Sequence, residues 1–126
     1  GGGIYIKETG KLINNGKVDK IYQSNVGKIY NYGTMNLDSF ENSKNGFVIN
    51  NINGIINILS KKSGGFRIYS RNKLLSPDKS MYNYGRVIAK NKPILLFADK
   101  DWIGNKIEGE YYNLYSWGSN LDDVPY

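Results

Sequence analysis

Short alternations of apolar and polar residues recur along this chain, separated by Gly and Asn. KLIN, KIYN and FVIN begin at residues 11, 28 and 47, and each is followed within four residues by a Gly and a second alternation. Strand side chains point to opposite faces with period two, so these segments predict β-strands rather than helices. The 17 Asn and 15 Gly interrupt any long 3.6-residue pattern, and the apolar residues are mainly β-branched or aromatic.

The alternations are periodic. Gly10, Gly27, Gly46, Gly65, Gly85 and Gly104 are spaced by 17, 19, 19, 20 and 19 residues. A second mark (Gly16, Gly33, Gly54, Lys73, Lys92, Gly109) keeps nearly the same interval. Two residues after it stands an apolar column of Val18, Met35, Ile56, Leu75, Ile94 and Tyr111, the expected core column. A repeat of this length, with like residues in like columns, predicts an all-β fold: a single-stack parallel β-solenoid of six coils with about 19 residues per coil. Residues 1–126 form one domain on this reading, with coils over 1–110 and a tail or C-terminal cap over 111–126. Gly and Asn suit the bends, since both tolerate φ > 0, and stacked Asn14, Asn31 and Asn50 can hydrogen-bond along the stack.

Three residues after each anchor Gly lies another column: Ile13, Tyr30, Ile49, Ile68, Ile88 and Ile107. It adjoins Leu12, Ile29, Val48, Arg67, Val87 and Lys106, so both faces of this strand are apolar in the first coils. One column lines the core and the other forms an exposed stripe suited to association, unless the segment Tyr111–Tyr126 folds back over it. GGGIYI reads as a bare strand rather than a capping helix, and an open coil end is expected to be an unpaired strand edge.

The motifs NNGKV, NYGTM and NINGIIN resemble the Asn-x-Gly-x-Ile repeats of parallel β-helix surface proteins, including bacterial adhesins of the filamentous-haemagglutinin type and microbial sheath or filament proteins. The resemblance is strongest over residues 3 to 58 and fades after Gly65. It implies an extracellular or cell-surface structural role, not a reaction.

Charge adds a second candidate. The net charge is +6, but residues 61–92 carry nine cations against Asp78 alone. Lys61, Lys62, Arg67, Arg71, Lys73, Arg86, Lys90 and Lys92 form a candidate basic patch. With exposed aromatics it suggests the alternative of an adhesin or carbohydrate-binding module, with anionic polysaccharide or cell wall as partner. The leading expectation is a homopolymer: a non-enzymatic protein that assembles with itself into a filament, sheath or fibre. Nucleic-acid binding through Phe66, Tyr69, Tyr82 and Tyr84 is disfavoured, because core and ladder packing accounts for these rings more simply.

Chemistry is constrained by inventory. The chain has neither His nor Cys, which excludes imidazole bases and thiolate metal sites. Asp99 with Asp101, and Glu108 with Glu110, are expected to point the same way on extended segments and so to hold a hard cation loosely at most. A polysaccharide lyase or hydrolase needs carboxylates on one face of neighbouring coils, and Asp78, Asp99 and Asp101 do not share a column. The expectation is therefore no catalysis, no metal and no cofactor. No run reaches the ~18 apolar residues of a membrane span.

Overall fold

A computed structural model describes residues 3–25, 27–43, 46–60, 65–68 and 80–114, without the side chains of residues 3, 20–24 and 100. The described chain is all-β with parallel sheets, one curled as a half-barrel. Its strands are β1 (Gly3–Ile6), β2 (Lys11–Asn14), β3 (Lys17–Asn25), β4 (Lys28–Asn31), β5 (Thr34–Asn42), β6 (Phe47–Asn50), β7 (Ile55–Ile58), β8 (Phe66–Ile68), β9 (Met81–Asn83), β10 (Arg86–Ala89), β11 (Ile94–Leu96), β12 (Trp102–Gly104) and β13 (Tyr112–Asn113). A single 3-10 turn spans Asp99–Asp101 among the described residues.

Five strands form the smaller sheet in the order β12-β9-β6-β4-β2. Its register is Leu12–Ile29–Val48–Met81–Trp102, every pair parallel. The chain thus returns to this sheet after 17, 19, 33 and 21 residues. The larger sheet holds the other eight strands. The first half of β5 pairs with β7, its second half with β8, so one long strand contributes to two successive segments of the wall. β10 continues from β7, and β11 from β8.

The interval of 33 departs from the expected period. After Gly54, each conspicuous Gly stands in a different part of the circuit. Gly65 precedes β8 in the larger sheet, Gly85 precedes β10 in line with Gly33 and Gly54, and Gly104 lies opposite Asn83. Glycine spacing alone cannot distinguish these positions, because every bend of the chain tolerates Gly.

Between the sheets the inward columns are apolar and buried. Ile29, Val48, Met81, Met35, Ile56, Val87, Leu37 and Ile58 are all at most 2% exposed, and Phe40 packs on Phe66 with ring centroids 5.4 Å apart. Two rows of buried Asn line the bends. Asn14 donates through Nδ2 to Asn31 Oδ1, Asn31 to Asn50 and Asn50 to Asn83, each at 2.9 Å. The oxygens of Asn14 and Asn31 also accept the main-chain N–H of Gly16 and Gly33, holding the bend that leads into β3 and β5. Asn25 and Asn42 repeat the device at a second bend, with a bond of 2.8 Å. A buried amide left without partners would cost about 1–3 kcal/mol, so this satisfaction is what lets polar residues sit at 0–7% exposure beside an apolar core.

The glycines of the first bend serve space rather than φ. Only Gly104 and Gly109 among the described glycines have positive φ, at 98° and 93°. A Cβ on Gly33 would collide with the Gly16 carbonyl oxygen, and one on Gly54 with Asn50 Oδ1 and, at 2.6 Å, with the Asn31 carbonyl oxygen. A methyl group added to Gly16, at the first position of the column, would meet nothing within 4 Å.

This packing sets two expectations for stability. Asn50→Ala takes the Asn50 donor from Asn83 Oδ1 and from the Gly54 and Arg86 carbonyls, and leaves Asn31 Nδ2 only the Gly33 and Ile55 carbonyls; it is expected to lower the urea-derived unfolding free energy by about 2–4 kcal/mol, against less than about 1 kcal/mol for Asn36→Ala on the outer surface. Gly54→Ala should abolish or severely weaken cooperative unfolding, whereas Gly16→Ala should stay within about 1 kcal/mol of the parent.

Candidate functional site

The outward face of the smaller sheet is its least ordinary surface. Alternation that sends Leu12, Ile29, Val48, Met81 and Trp102 inward sends Ile13, Tyr30, Ile49, Tyr82 and Ile103 outward, in register across all five strands. Ile13 is 49% exposed and Ile103 37%, while Tyr30, Ile49 and Tyr82 are half-buried by their neighbours. Phe47 stands edge-on to both Tyr30 and Tyr82, at 6.0 and 6.3 Å between centroids, and Lys28 Nζ lies 5.9 Å from its ring. The bend beside this face exposes Tyr32, Ile52 and Tyr84. Edge-on aromatic contacts of this kind stabilise the row without burying it.

Several residues expected in this stripe lie elsewhere. Ile13, Tyr30 and Ile49 do stand side by side, but the row continues through Tyr82 and Ile103. Ile68 is buried in β8 at 2% exposure. Ile88 stands opposite Asn57 and Glu108 on the outer side of the larger sheet, and Ile107 packs against the core. The cause is again the segment between β7 and β9, which shifts every later residue relative to a 19-residue count. The signal for Tyr82 and Ile103 lies in the MYN and WIG triplets, which follow the same alternation as KLIN and KIYN. In the core column, Val18, Met35 and Ile56 are in register and Val87 takes the next place. Ile94 pairs with Tyr112 in the larger sheet, Tyr111 packs beside Phe97, and Leu75 lies outside the described residues. The start of the segment expected to cover the stripe joins the larger sheet instead, where Tyr112–Asn113 pairs with β11.

Within the basic patch, Arg86 and Lys92 are paired with acids. Arg86 donates from Nε and an Nη to both carboxylate oxygens of Glu108, each at 2.8 Å. Lys92 Nζ is 3.9 Å from Glu110 and 5.1 Å from the centre of the Tyr112 ring. A hydrogen bond to Tyr112, then the charges of Tyr112 and Glu110, raise its pKa. Arg67 is half-buried opposite Glu41 and Leu96, and Lys90 is exposed. Lys61, Lys62, Arg71 and Lys73 lie outside the described residues. A cation held in a two-point pair is a poorer docking point for a polyanion than a free one.

Asp99 and Asp101 do not lie on an extended segment as expected. They sit in a 3-10 turn, which leaves Asp99 exposed and Asp101 buried. Glu108 and Glu110 are occupied by Arg86 and Lys92. Among the described residues, no group of three or more acidic side chains gathers. None of the described helices is long and apolar enough to cross a membrane.

The Arg86 hydrogen bond, followed by its charge and that of Lys90, holds the Glu108 carboxyl below its ordinary pKa against the opposing effect of desolvation. A carboxyl depressed in the folded state stabilises it above the unfolded pKa, and that contribution is lost as pH falls through the depressed value. Carbon-detected NMR titration should therefore find Glu108 titrating below a free Glu, and Arg86→Ala should move the midpoint back up.

Comparison with known proteins finds no family model, no curated protein and no solved structure that matches this chain.

Proposed function

We propose that this chain winds as a parallel β-solenoid and serves as a non-enzymatic structural protein of a microbial surface, assembling with itself through the outer face of its smaller sheet and its first strand edge. The observation that carries the reading is the in-register row Ile13–Tyr30–Ile49–Tyr82–Ile103. Strands in a sheet repeat at about 4.8 Å, so five rows give an Ile/Tyr strip roughly 20 Å long. A strip of that regularity matches a second copy of itself, because sheets pack face to face through interdigitated side chains. The edge of β2 away from β4 adds main-chain donors and acceptors that have no strand partner among the described residues.

Two different self-complementary surfaces on one chain give a linear polymer rather than a closed dimer. One is the face of the smaller sheet and the other is the first edge, where Leu12 and Val18 are only half-buried, unlike Ile29 and Met35 behind them. The last strand is a poorer end for propagation. Gly104 replaces Asn in the buried row, and Asn83 donates instead to the Asn105 carbonyl at 2.9 Å. A surface location outside the cell belongs to this reading through the resemblance of the NNGKV and NYGTM motifs to sheath and adhesin repeats.

Light scattering coupled to size-exclusion chromatography, with electron microscopy of the same fractions, tests the proposal. The parent chain should form concentration-dependent assemblies, and the double variant Ile49→Lys/Tyr82→Lys should remain monomeric with an unchanged far-UV spectrum. A parent that stays monomeric at about 1 mM would remove the basis for self-assembly.

A further inference from the structure

A cavity of about 410 Å³ opens at the last turn of the described chain, lined by Phe97, Asp99, Trp102, Gly104, Lys106, Ile107 and Tyr111. It stands apart from the outward stripe, because Trp102 belongs to the inward column and Tyr111 precedes the last strand of the larger sheet. The composition of the inward column changes here: Leu, Ile, Val and Met in four rows give way to Trp102 in the fifth. The backbone changes with it, since Gly104 and Gly109 both have positive φ. Repeat proteins tend to break their own local rules where something is bound.

The rings are arranged as a bowl. Phe97, 5% exposed, forms the floor, with Trp102 at 5.0 Å tilted by 41° and Tyr111 at 6.3 Å tilted by 42°. Hydrogen bonds hold the Trp102 ring and the main chain of Phe97. Trp102 Nε1 donates to the Asn105 carbonyl at 2.9 Å, and the Asn113 side chain both donates to the Phe97 carbonyl and accepts its N–H. Trp102 lines the cavity with its indole N–H already engaged. The exposed Asp99 and Lys106 bring opposite charges to the rim.

The geometry points to a binding site for a neutral pyranose saccharide, a mono- or disaccharide unit or the end of a longer glycan. A pyranose is puckered, and its C–H bonds are polarised by the ring oxygens, so it rests on the electron-rich faces of tilted rings. Its hydroxyls both donate and accept, which matches a carboxylate and an ammonium on one rim. A phosphate or uronate would meet Asp99, and a quaternary ammonium would meet Lys106. The volume lies in the range of small-ligand pockets.

The chain has two tryptophans, so Trp117→Phe leaves Trp102 as the sole indole fluorophore. Titrating this variant with maltose, cellobiose and N,N′-diacetylchitobiose, and separately with choline, reads the cavity directly. At least one disaccharide should shift the Trp102 emission saturably, with a midpoint on the order of 1 mM. Asp99→Asn or Lys106→Ala, both at exposed positions, should weaken that midpoint at least about fivefold without moving the thermal unfolding midpoint. The proposal is overturned by no saturable response to any of the three sugars up to about 50 mM, by a response that both rim variants leave unchanged, or by a response to choline alone.

Discussion

A row of buried side-chain amides sets the geometry of this chain. Asn14, Asn31, Asn50 and Asn83 are each at most 7% exposed, and each of the first three passes a hydrogen bond to the next. An amide in that environment has few acceptable partners, and another amide one strand away satisfies it in both senses. A continuous row of these bonds between like positions requires successive strands in register, as the parallel pairings supply. Register in turn places Leu12, Ile29, Val48 and Met81 in one inward column and Ile13, Tyr30, Ile49 and Tyr82 in one outward column. Hydrophobic burial supplies the larger share of the stabilisation, but it is non-directional. The amide row specifies which residue stacks on which.

The glycines beside the amides act through the same constraint. Where a bend stacks on the bend before it, the preceding carbonyl oxygen occupies the space of a side chain, as Gly16 does for Gly33. The first member of the column has no predecessor and no such restriction. These glycines are legible in the sequence as bends, but the reason for them is not. Their φ values are ordinary, and close backbone approach is a property of the stack rather than of any local segment.

Legibility elsewhere follows the regularity of the repeat. Over residues 11–58, where the return interval is 17 to 21, the strands, their parallel sense implied by like columns, and the outward placement of Ile13, Tyr30 and Ile49 can be read directly. The 33-residue interval between Val48 and Met81 then breaks the count. Tyr82 and Ile103 escape it for that reason, and it places Ile68 outward although this residue points into the core. Arg86 and Glu108 are 22 residues apart in sequence, on strand positions that no glycine count aligns, so a cluster of cations reads as a free patch. The aromatic bowl around Phe97 is hidden for a further reason. It forms where the pattern stops, and a search for periodicity passes over such a place.

The central claim is that parallel strands stack in register through an unbroken row of buried amides. Side-chain amide hydrogen exchange measured by NMR tests it most directly, with cross-peaks between the Nδ2 protons of successive Asn residues in the same spectra. The account predicts that Asn31 and Asn50 exchange only through global unfolding, with contacts from Asn14 to Asn31 to Asn50 to Asn83. Side-chain protons that exchange at the rate of a free amide, or contacts that pair these residues in any other order, would contradict it.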